Sequence, residues 1–130
     1  MVITISDESP VPVYRQIVIQ VLLGVIRNEI KQNSSLPTIR QLAADLSLTN
    51  TTVSKAYQIL ERSKIIATAG RRGTFIHENA QENASRYIQE ERLGQMMDFI
   101  SMHLKYGSTI DELEQSFYAA IKKIKERKAK

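Results

Sequence analysis

Within residues 1–77 the hydrophobic pattern changes its period once, and the order of the two patterns limits the possible folds. Apolar residues recur every three or four positions within residues 13–30, 38–46 and 50–63, which is the spacing of amphipathic helices. Two short runs of β-branched and aromatic residues follow at 65–68 and 74–77, joined by a loop with two glycines. Three helices followed by a β-hairpin are the elements of a helix-turn-helix domain with a wing.

Capping residues predict where the second and third helices begin. Thr38 and Gln41 have the spacing of a capping box, so the second helix should start at Thr38. Thr49 or Asn50 can cap the third helix, which should run to about Ser63. The third helix carries small polar and basic side chains on one face. Its opposite, apolar face should pack into the core and consists of Val53, Ala56, Tyr57 and Leu60.

A polar stretch at 78–85 lacks large apolar side chains and marks a boundary. We therefore expect a mainly α protein with two parts. Residues 1–77 would form a winged helix-turn-helix domain with a small β wing, and residues 78–130 would form a helical segment. Ahead of the first helix, residues 2–5 would form a short strand or a loose arm. A polar turn at 31–35 would end that helix.

Two more helices are predicted in the carboxyl-terminal segment. The first has helical apolar spacing between residues 88 and 104, and Gly107 is placed to end it. Thr109 and Glu112 form a second capping box at the start of the last helix. That helix should fray into the basic tail at 122–130.

The excess positive charge lies in the first part of the chain. The net charge is +4 at pH 7. Residues 1–77 carry nine Lys and Arg against five Asp and Glu, whereas residues 78–130 carry nine of each. A basic amino-terminal domain favours an anionic partner such as nucleic acid.

The composition excludes several kinds of chemistry. The chain has no cysteine, so disulfides, thiolate metal sites and cysteine nucleophiles are ruled out. The two histidines, His77 and His103, lack the spacing of metal ligands, so we expect no metal and no cofactor. No nucleophile, base and orienting group can be assembled, so we do not expect an enzyme. The longest apolar stretch, 17–26, is shorter than the roughly 20 residues that span a bilayer, and we expect a cytoplasmic protein.

Four separate segments of the first domain resemble the DNA-binding domain of the GntR regulators. They are PVYRQIV at 12–18, LPTIRQLA at 36–43, TTVSKAYQILERSKII at 51–66 and GRRGTFI at 70–76. The segments agree in order, and the resemblance extends over residues 12–77, about half of the chain. The resemblance implies a winged helix-turn-helix domain that binds duplex DNA.

The resemblance assigns DNA contacts to three places: the arginine at position 40, the start of the third helix, and the wing tip, which lies in the minor groove in that family. The chemistry of threonine is consistent with DNA contacts at the start of the third helix, because threonine can bond a base edge or place its methyl group against a thymine methyl. Arg40 could instead simply pair with Asp45 or Glu61. The residues expected to contact DNA are Thr38, Arg40, Thr49, Asn50, Thr51, Thr52, Ser54, Lys55, Arg71, Arg72 and Gly73.

The short carboxyl-terminal part resembles the small YtrA-like branch of the family, in which this part is a dimerisation unit. The resemblance implies a homodimeric repressor of its own operon, often one that encodes an ABC transporter. Its two recognition helices would enter successive major grooves about 34–36 Å apart and read an inverted repeat. The residues expected at the dimer interface are Leu93, Met96, Met97, Ile100, Leu104, Leu113, Phe117 and Ile121.

Two other functions remain open at this point. Where the GntR family often has arginine, this chain has Asn50, and asparagine prefers adenine rather than guanine. A winged-helix module that binds a protein partner and no longer binds DNA is therefore one alternative. An effector-responsive switch with a ligand site at the dimer interface is the other, although the segment is too short to enclose a drug-sized ligand alone.

Overall fold

The computed structural model describes residues 2–129, and within them it contains five α-helices and one three-stranded antiparallel sheet. The mainly α fold with a small β wing is confirmed. The helices are α1 (Val13–Ile26), α2 (Ile39–Leu46), α3 (Asn50–Arg62), α4 (Ala80–Lys105) and α5 (Ile110–Ala129). The strands are β1 (Ser35–Leu36), β2 (Ile66–Thr68) and β3 (Thr74–Ile76), in the order β1-β3-β2. None of the helices in residues 2–129 combines the length and apolarity needed to cross a membrane.

The core forms where α1, α2 and α3 pack together against the sheet. All four apolar residues predicted for α3 are buried. Burying a valine or leucine side chain stabilises a fold by about 1.5–3 kcal/mol relative to leaving it exposed. The largest fully buried side chains come from α1, α3, the strands and the residue just before β2: Ile17, Val21, Leu22, Val53, Leu60, Ile65, Ile66 and Ile76.

The chain divides into two compact units, Met1–Gln89 and Glu90–Lys130. The division falls later than the boundary expected after residues 1–77, because the first turns of α4 belong to the first unit. Ala80 and Ala84 lie one helical turn apart, and both are buried in the core of that unit. A small side chain at each position lets the helix backbone approach the core closely.

Two side chains in the polar stretch at 78–85 bond to the first unit. The Gln81 side-chain amide donates to the Ile26 carbonyl oxygen at 3.1 Å. The Asn83 side-chain amide donates to the Lys64 carbonyl oxygen at 2.8 Å. The polar composition of this stretch therefore reflects hydrogen bonds to carbonyl groups at the end of α1 and in the turn after α3.

The first helix is shorter than its apolar periodicity predicts. It ends at Ile26, and Asn28 adopts a left-handed conformation with φ of 60°. The chain then folds back, so that the Ile30 N–H donates to the Gly24 carbonyl oxygen at 3.0 Å. A side chain at position 24 would collide with Ile30, so the close approach requires glycine. Ile30 continues the apolar stripe through this turn and not through a helix.

A third strand occupies part of the region predicted to be a polar turn. After Asn33, whose φ is 63°, the chain runs beside β3. The Asn33 N–H donates to the Ile76 carbonyl oxygen at 2.9 Å, and the Ile76 N–H donates to the Ser34 carbonyl oxygen at 2.8 Å. The two-stranded hairpin predicted at 65–77 is therefore the larger part of a three-stranded sheet.

The amino-terminal residues, expected as a strand or a loose arm, form an ordered segment without strand pairing. Ile3 is buried in the core. The Gln20 side chain accepts from the Thr4 N–H at 3.0 Å and donates to the Thr4 carbonyl oxygen at 2.7 Å. Gln16 bonds in the same two ways to Ser6, at 2.9 Å each. Two glutamine side chains of α1 therefore bond this segment as a neighbouring strand would.

The predicted capping box begins the last helix. The Thr109 N–H donates to the Glu112 carboxylate at 2.9 Å, and the Glu112 N–H donates to the Thr109 hydroxyl at 3.1 Å. These bonds to Thr109 hold the pKa of the Glu112 carboxyl below its usual range. Gly107, with φ of 100°, lies between α4 and α5. The helix continues to Ala129, so the expected fraying from residue 122 is wrong.

Candidate nucleic-acid interface

Threonine caps hold the turn between α2 and α3. Thr38 accepts from the Gln41 N–H at 3.1 Å, and Gln41 bonds back to the Thr38 N–H at 3.0 Å, which completes the predicted capping box. Thr49 caps α3 by accepting from the Thr52 N–H at 3.3 Å. Ser47, with φ of 56°, ends α2. The hydroxyls of Thr38 and Thr49 therefore set the starting points of the two helices.

Tyr57 joins α3 to Pro37, which lies just before the cap of α2. Its hydroxyl donates to the Pro37 carbonyl oxygen at 2.7 Å. The ring is buried in the core, and burial raises the pKa of Tyr57 to about 12. This bond connects the two helices of the helix-turn-helix near the start of α2, so it helps to hold the exposed side of α3 in position.

The outer side of α3 carries a group of short polar side chains with one lysine. We call this group the α3 face, and it consists of Asn50, Thr51, Ser54, Lys55 and Gln58. Together with Ile39 of α2, it lines a shallow, open depression of about 630 Å³. A helix side with short polar side chains can approach base edges in the major groove, which is wide enough to admit an α-helix. Gln58 was not among the expected DNA contacts, although it follows Ser54 by one helical turn. Ile39, which lies beside the α3 face, was not among them either.

Lys55 contacts an aromatic ring of another helix. Its Nζ lies 4.1 Å from the centroid of the Tyr14 ring in α1. Tyr14 was assigned only to the apolar stripe of the first helix. A contact between α1 and α3 depends on tertiary packing, so no local pattern could have predicted it.

Arg40 is exposed on α2. In the described part of the chain it forms no ion pair with Asp45 or Glu61, the two partners considered from the sequence. The guanidinium group is therefore available to an anionic ligand.

The wing tip is a tight turn between β2 and β3. Gly70 begins a single 3₁₀ turn that contains Arg71 and Arg72, both exposed. The Ala69 N–H donates to the Gly73 carbonyl oxygen at 2.8 Å and closes the loop. Gly73 has φ of 87° and ψ of −150°, a combination available almost only to glycine. The two arginines therefore project from a backbone shape that needs glycine.

The second unit contains all eight residues expected at a dimer interface. Within this unit, Phe99 of α4 lies 5.8 Å from Phe117 of α5 and 4.5 Å from His103, measured between ring centroids. Phe99 and His103 were not in the expected set. Of that set, Leu113 is buried and Ile100 and Phe117 are half-buried, whereas the exposed members are Leu93, Met96, Met97, Leu104 and Ile121.

The histidines have structural surroundings. The Nδ1 atom of His77 accepts from the Asn79 N–H at 3.0 Å, just before α4. The His103 ring packs against the Phe99 ring with an angle of 45° between the ring planes. Residues 2–129 contain no group of three or more His, Cys, Asp or Glu side chains placed to hold a metal ion.

Comparison with known proteins gives consistent matches. Residues 13–76 match the family described as "Bacterial regulatory proteins, gntR family". Over 79 residues the chain is 42% identical to the HTH-type transcriptional repressor YtrA of Bacillus subtilis (strain 168), a match that covers 61% of this chain and 61% of that protein. The chain thus spans less than two thirds of the length of this relative.

Two solved structures extend the similarity. YtrA from Sulfolobus acidocaldarius, described as a GntR-family transcription factor, is 32% identical, with a TM-score of 0.56 over 72% of this chain and 99% of that one. A transcriptional antiterminator from Listeria monocytogenes EGD-e is 28% identical, with a TM-score of 0.65 over 92% of this chain and 90% of that one. The second match includes most of the carboxyl-terminal helices as well as the first unit.

Proposed function

The chain belongs to the GntR family of bacterial regulatory proteins, and on that basis we propose that it is a DNA-binding transcriptional regulator that acts as a homodimeric repressor. The observation that carries this proposal is the α3 face. Its side chains are polar and mostly exposed, and it is supported by two helix caps and by the Tyr57 bond to Pro37. These supports preorganise a surface that a merely solvated helix would not need.

Each part of the first unit has a distinct role in this proposal. The α3 face enters the major groove, where Asn50 reads an adenine and Thr51 contacts a base edge or a thymine methyl group. Arg40 binds a phosphate and fixes the register of the protein on the duplex. Arg71 and Arg72 enter a narrow minor groove, whose negative potential attracts arginine.

The homodimer part of the proposal is supported by α4. Leu93, Met97, Ile100 and Leu104 recur at intervals of four, three and four positions, which is the spacing of a coiled-coil seam. We call this group the α4 stripe. Leu93 and Met97 are 60% and 58% exposed in the single chain. A second copy of the chain would cover the stripe and place two recognition helices on an inverted repeat.

Selection from a pool of random duplexes, followed by gel shifts at physiological salt, tests the proposal. We expect enrichment of an inverted repeat, bound by two protomers, and we expect DNA upstream of the chain's own gene to contain it. Asn50→Ala should weaken binding to the selected site by about 1–3 kcal/mol and relax the preference at one base pair. Gln32→Ala, an exposed amide outside α2 and α3, is the matched control.

Equal binding to selected and random duplexes would contradict sequence-specific recognition. If the chain shows no salt-sensitive binding to any duplex, the result would instead favour the protein-interaction module.

A further inference from the structure

Lys55 and Tyr14 are far apart in the sequence and meet between α3 and α1. The Lys55 Nζ is 4.1 Å from the centroid of the Tyr14 ring. Tyr14 lies in the first turn of α1, is half-buried, and packs against the core of the first unit. Lys55 is exposed. The ring is therefore held by its own packing, whereas the lysine above it faces solvent.

The contact restricts a side chain that is otherwise mobile. A lysine has a flexible four-carbon stem and loses much of its rotamer freedom when its ammonium binds a phosphate. The face of an aromatic ring attracts an ammonium group. The Tyr14 ring therefore orders the Lys55 ammonium before a ligand arrives, and the N–H groups on the far side of the nitrogen remain available to an anion.

The surroundings of Lys55 leave its charge unneutralised. In the described residues no ion pair connects Lys55 to a carboxylate. Lys55 lines the same depression as Asn50 and Thr51, the residues proposed above to face the bases. An ordered cation beside base-reading side chains is suited to a backbone phosphate, which fixes the register of the protein on the duplex.

We propose that Tyr14 is a positioning residue for DNA binding, whose ring holds the Lys55 ammonium on the α3 face for contact with a DNA phosphate. This role rests on the proposed function. Tyr14 belongs to α1 and lies outside the recognition helix α3. It also predicts that Tyr14 affects DNA affinity only through Lys55.

The contact itself is tested without DNA by proton NMR of the full chain. In the wild type, ring current from Tyr14 should shift the terminal methylene protons of Lys55 upfield. Tyr14→Phe should keep this shift, and Tyr14→Leu should abolish it. An unshifted Lys55 in the wild type would overturn the proposal, whatever the protein does with DNA.

A double-mutant cycle on the selected duplex tests the function of the contact. Tyr14→Leu should weaken binding about two- to five-fold per protomer in the wild-type background and not at all in Lys55→Met. Lys55→Met should lower the slope of log affinity against log salt by about one per protomer. Lys31→Met, an exposed lysine outside α2 and α3, is the charge-matched control and should retain the effect of Tyr14→Leu.

A variant that preserves the shape of the ring separates its electrostatics from its packing. Pentafluorophenylalanine at position 14 reverses the potential of the ring face at similar size, so it should weaken binding relative to Tyr14→Phe at unchanged melting temperature. Equal losses from Tyr14→Leu in both Lys55 backgrounds, or no effect of fluorination, would overturn the positioning role alone. Absence of DNA binding by the wild type would overturn the proposed function and this role with it.

Discussion

The Tyr57 hydroxyl shows how one atom can determine the geometry of a surface that it does not touch. It lies behind the α3 face and bonds to the Pro37 carbonyl oxygen. Because the ring is buried, removal of the hydroxyl would leave the Pro37 carbonyl oxygen without this hydrogen bond. Substitutions of residues that link two elements are therefore the most informative about the geometry of this surface.

Tyr57→Phe should lower the free energy of unfolding by about 1–2 kcal/mol, because it removes one hydrogen bond and leaves the Pro37 carbonyl oxygen without that donor. Urea unfolding followed by circular dichroism measures the change. Tyr118→Phe is the control, because Tyr118 is 76% exposed on α5 and should change stability very little. Equal effects of the two substitutions would contradict a structural role for the hydrogen bond.

The raised pKa of Tyr57 predicts a dependence of stability on alkaline pH. The phenol titrates at about 12 in the folded chain and at 10.0 without burial. Between these values the unfolded chain has lost the proton and the folded chain has kept it, so stability falls as pH rises. The contribution of Tyr57 to stability is fully present below its unfolded-state pKa of 10.0 and is lost as pH rises through the folded-state pKa of about 12.

The stability difference between wild type and Tyr57→Phe should therefore shrink between about pH 9 and about pH 11. The subtraction removes the titration of the lysines and of the other tyrosines, which both proteins share. Urea unfolding at the two pH values provides the measurement. A difference that stays constant with pH would show that Tyr57 ionises with its ordinary pKa.

At the scale of elements, capping signals predicted the beginnings of helices, whereas packing determined the end of α1 and the presence of β1. Thr38 and Thr109 cap the helices that they were expected to cap, because a capping box is complete within four residues. The end of α1 depends on Ile30 folding back over Gly24, and β1 depends on pairing with β3. Neither contact leaves a periodic pattern in the sequence.

The same distinction applies to the candidate interface. The polar side of α3 was predictable because it follows from helical spacing within one element. The Tyr14 contact with Lys55 joins α1 to α3, so it required the packed structure. The early end expected for the last helix was wrong, because lysine and arginine are good helix formers despite their charge.

Two glycines in different elements should respond to alanine in opposite directions. A Cβ atom at Gly73 or Gly94 would meet no atom within 4 Å, so neither substitution creates a clash. Gly73 has φ of 87° and ψ of −150°, and alanine there should cost about 1–3 kcal/mol through backbone strain. Gly94 lies inside α4, where alanine should stabilise the helix by about 0.5–1 kcal/mol.

Thermal and urea unfolding of the two variants would check these signs. Each glycine serves as the control for the other, because both substitutions add one methyl group in open space. Destabilisation by Gly94→Ala would indicate that another molecule approaches α4 closely at that position in solution.

At the scale of the whole molecule, apolar surface is distributed unevenly. Among the described residues of the first unit, Val2 is the one large apolar side chain that is exposed, and the others are buried or half-buried. The second unit exposes many, including Leu93, Met97 and Leu104 of the α4 stripe. Contiguous exposed apolar surface is characteristic of interfaces, so this unit is the part of the chain expected to depend on a partner.

Met97→Glu should convert the homodimer that we propose to a monomer, because it places a charge in the centre of the α4 stripe. Sedimentation velocity measures the change in mass. Gln95→Glu introduces the same carboxylate outside the stripe and is the matched control. The monomer should bind a half-site weakly and lose the two-protomer complex. An unchanged mass for Met97→Glu would place the dimer interface elsewhere.

The glutamine pair of α1 makes the amino-terminal segment a reporter of the helix beneath it. The Thr4 and Ser6 N–H groups donate to the side chains of Gln20 and Gln16, so they reach solvent deuterium only when these bonds open. Their exchange rates should therefore report how often the Gln20 and Gln16 side chains release the segment, although the segment lies outside every helix and strand. A chain end that looks irregular should in this way exchange more slowly than an unbonded loop.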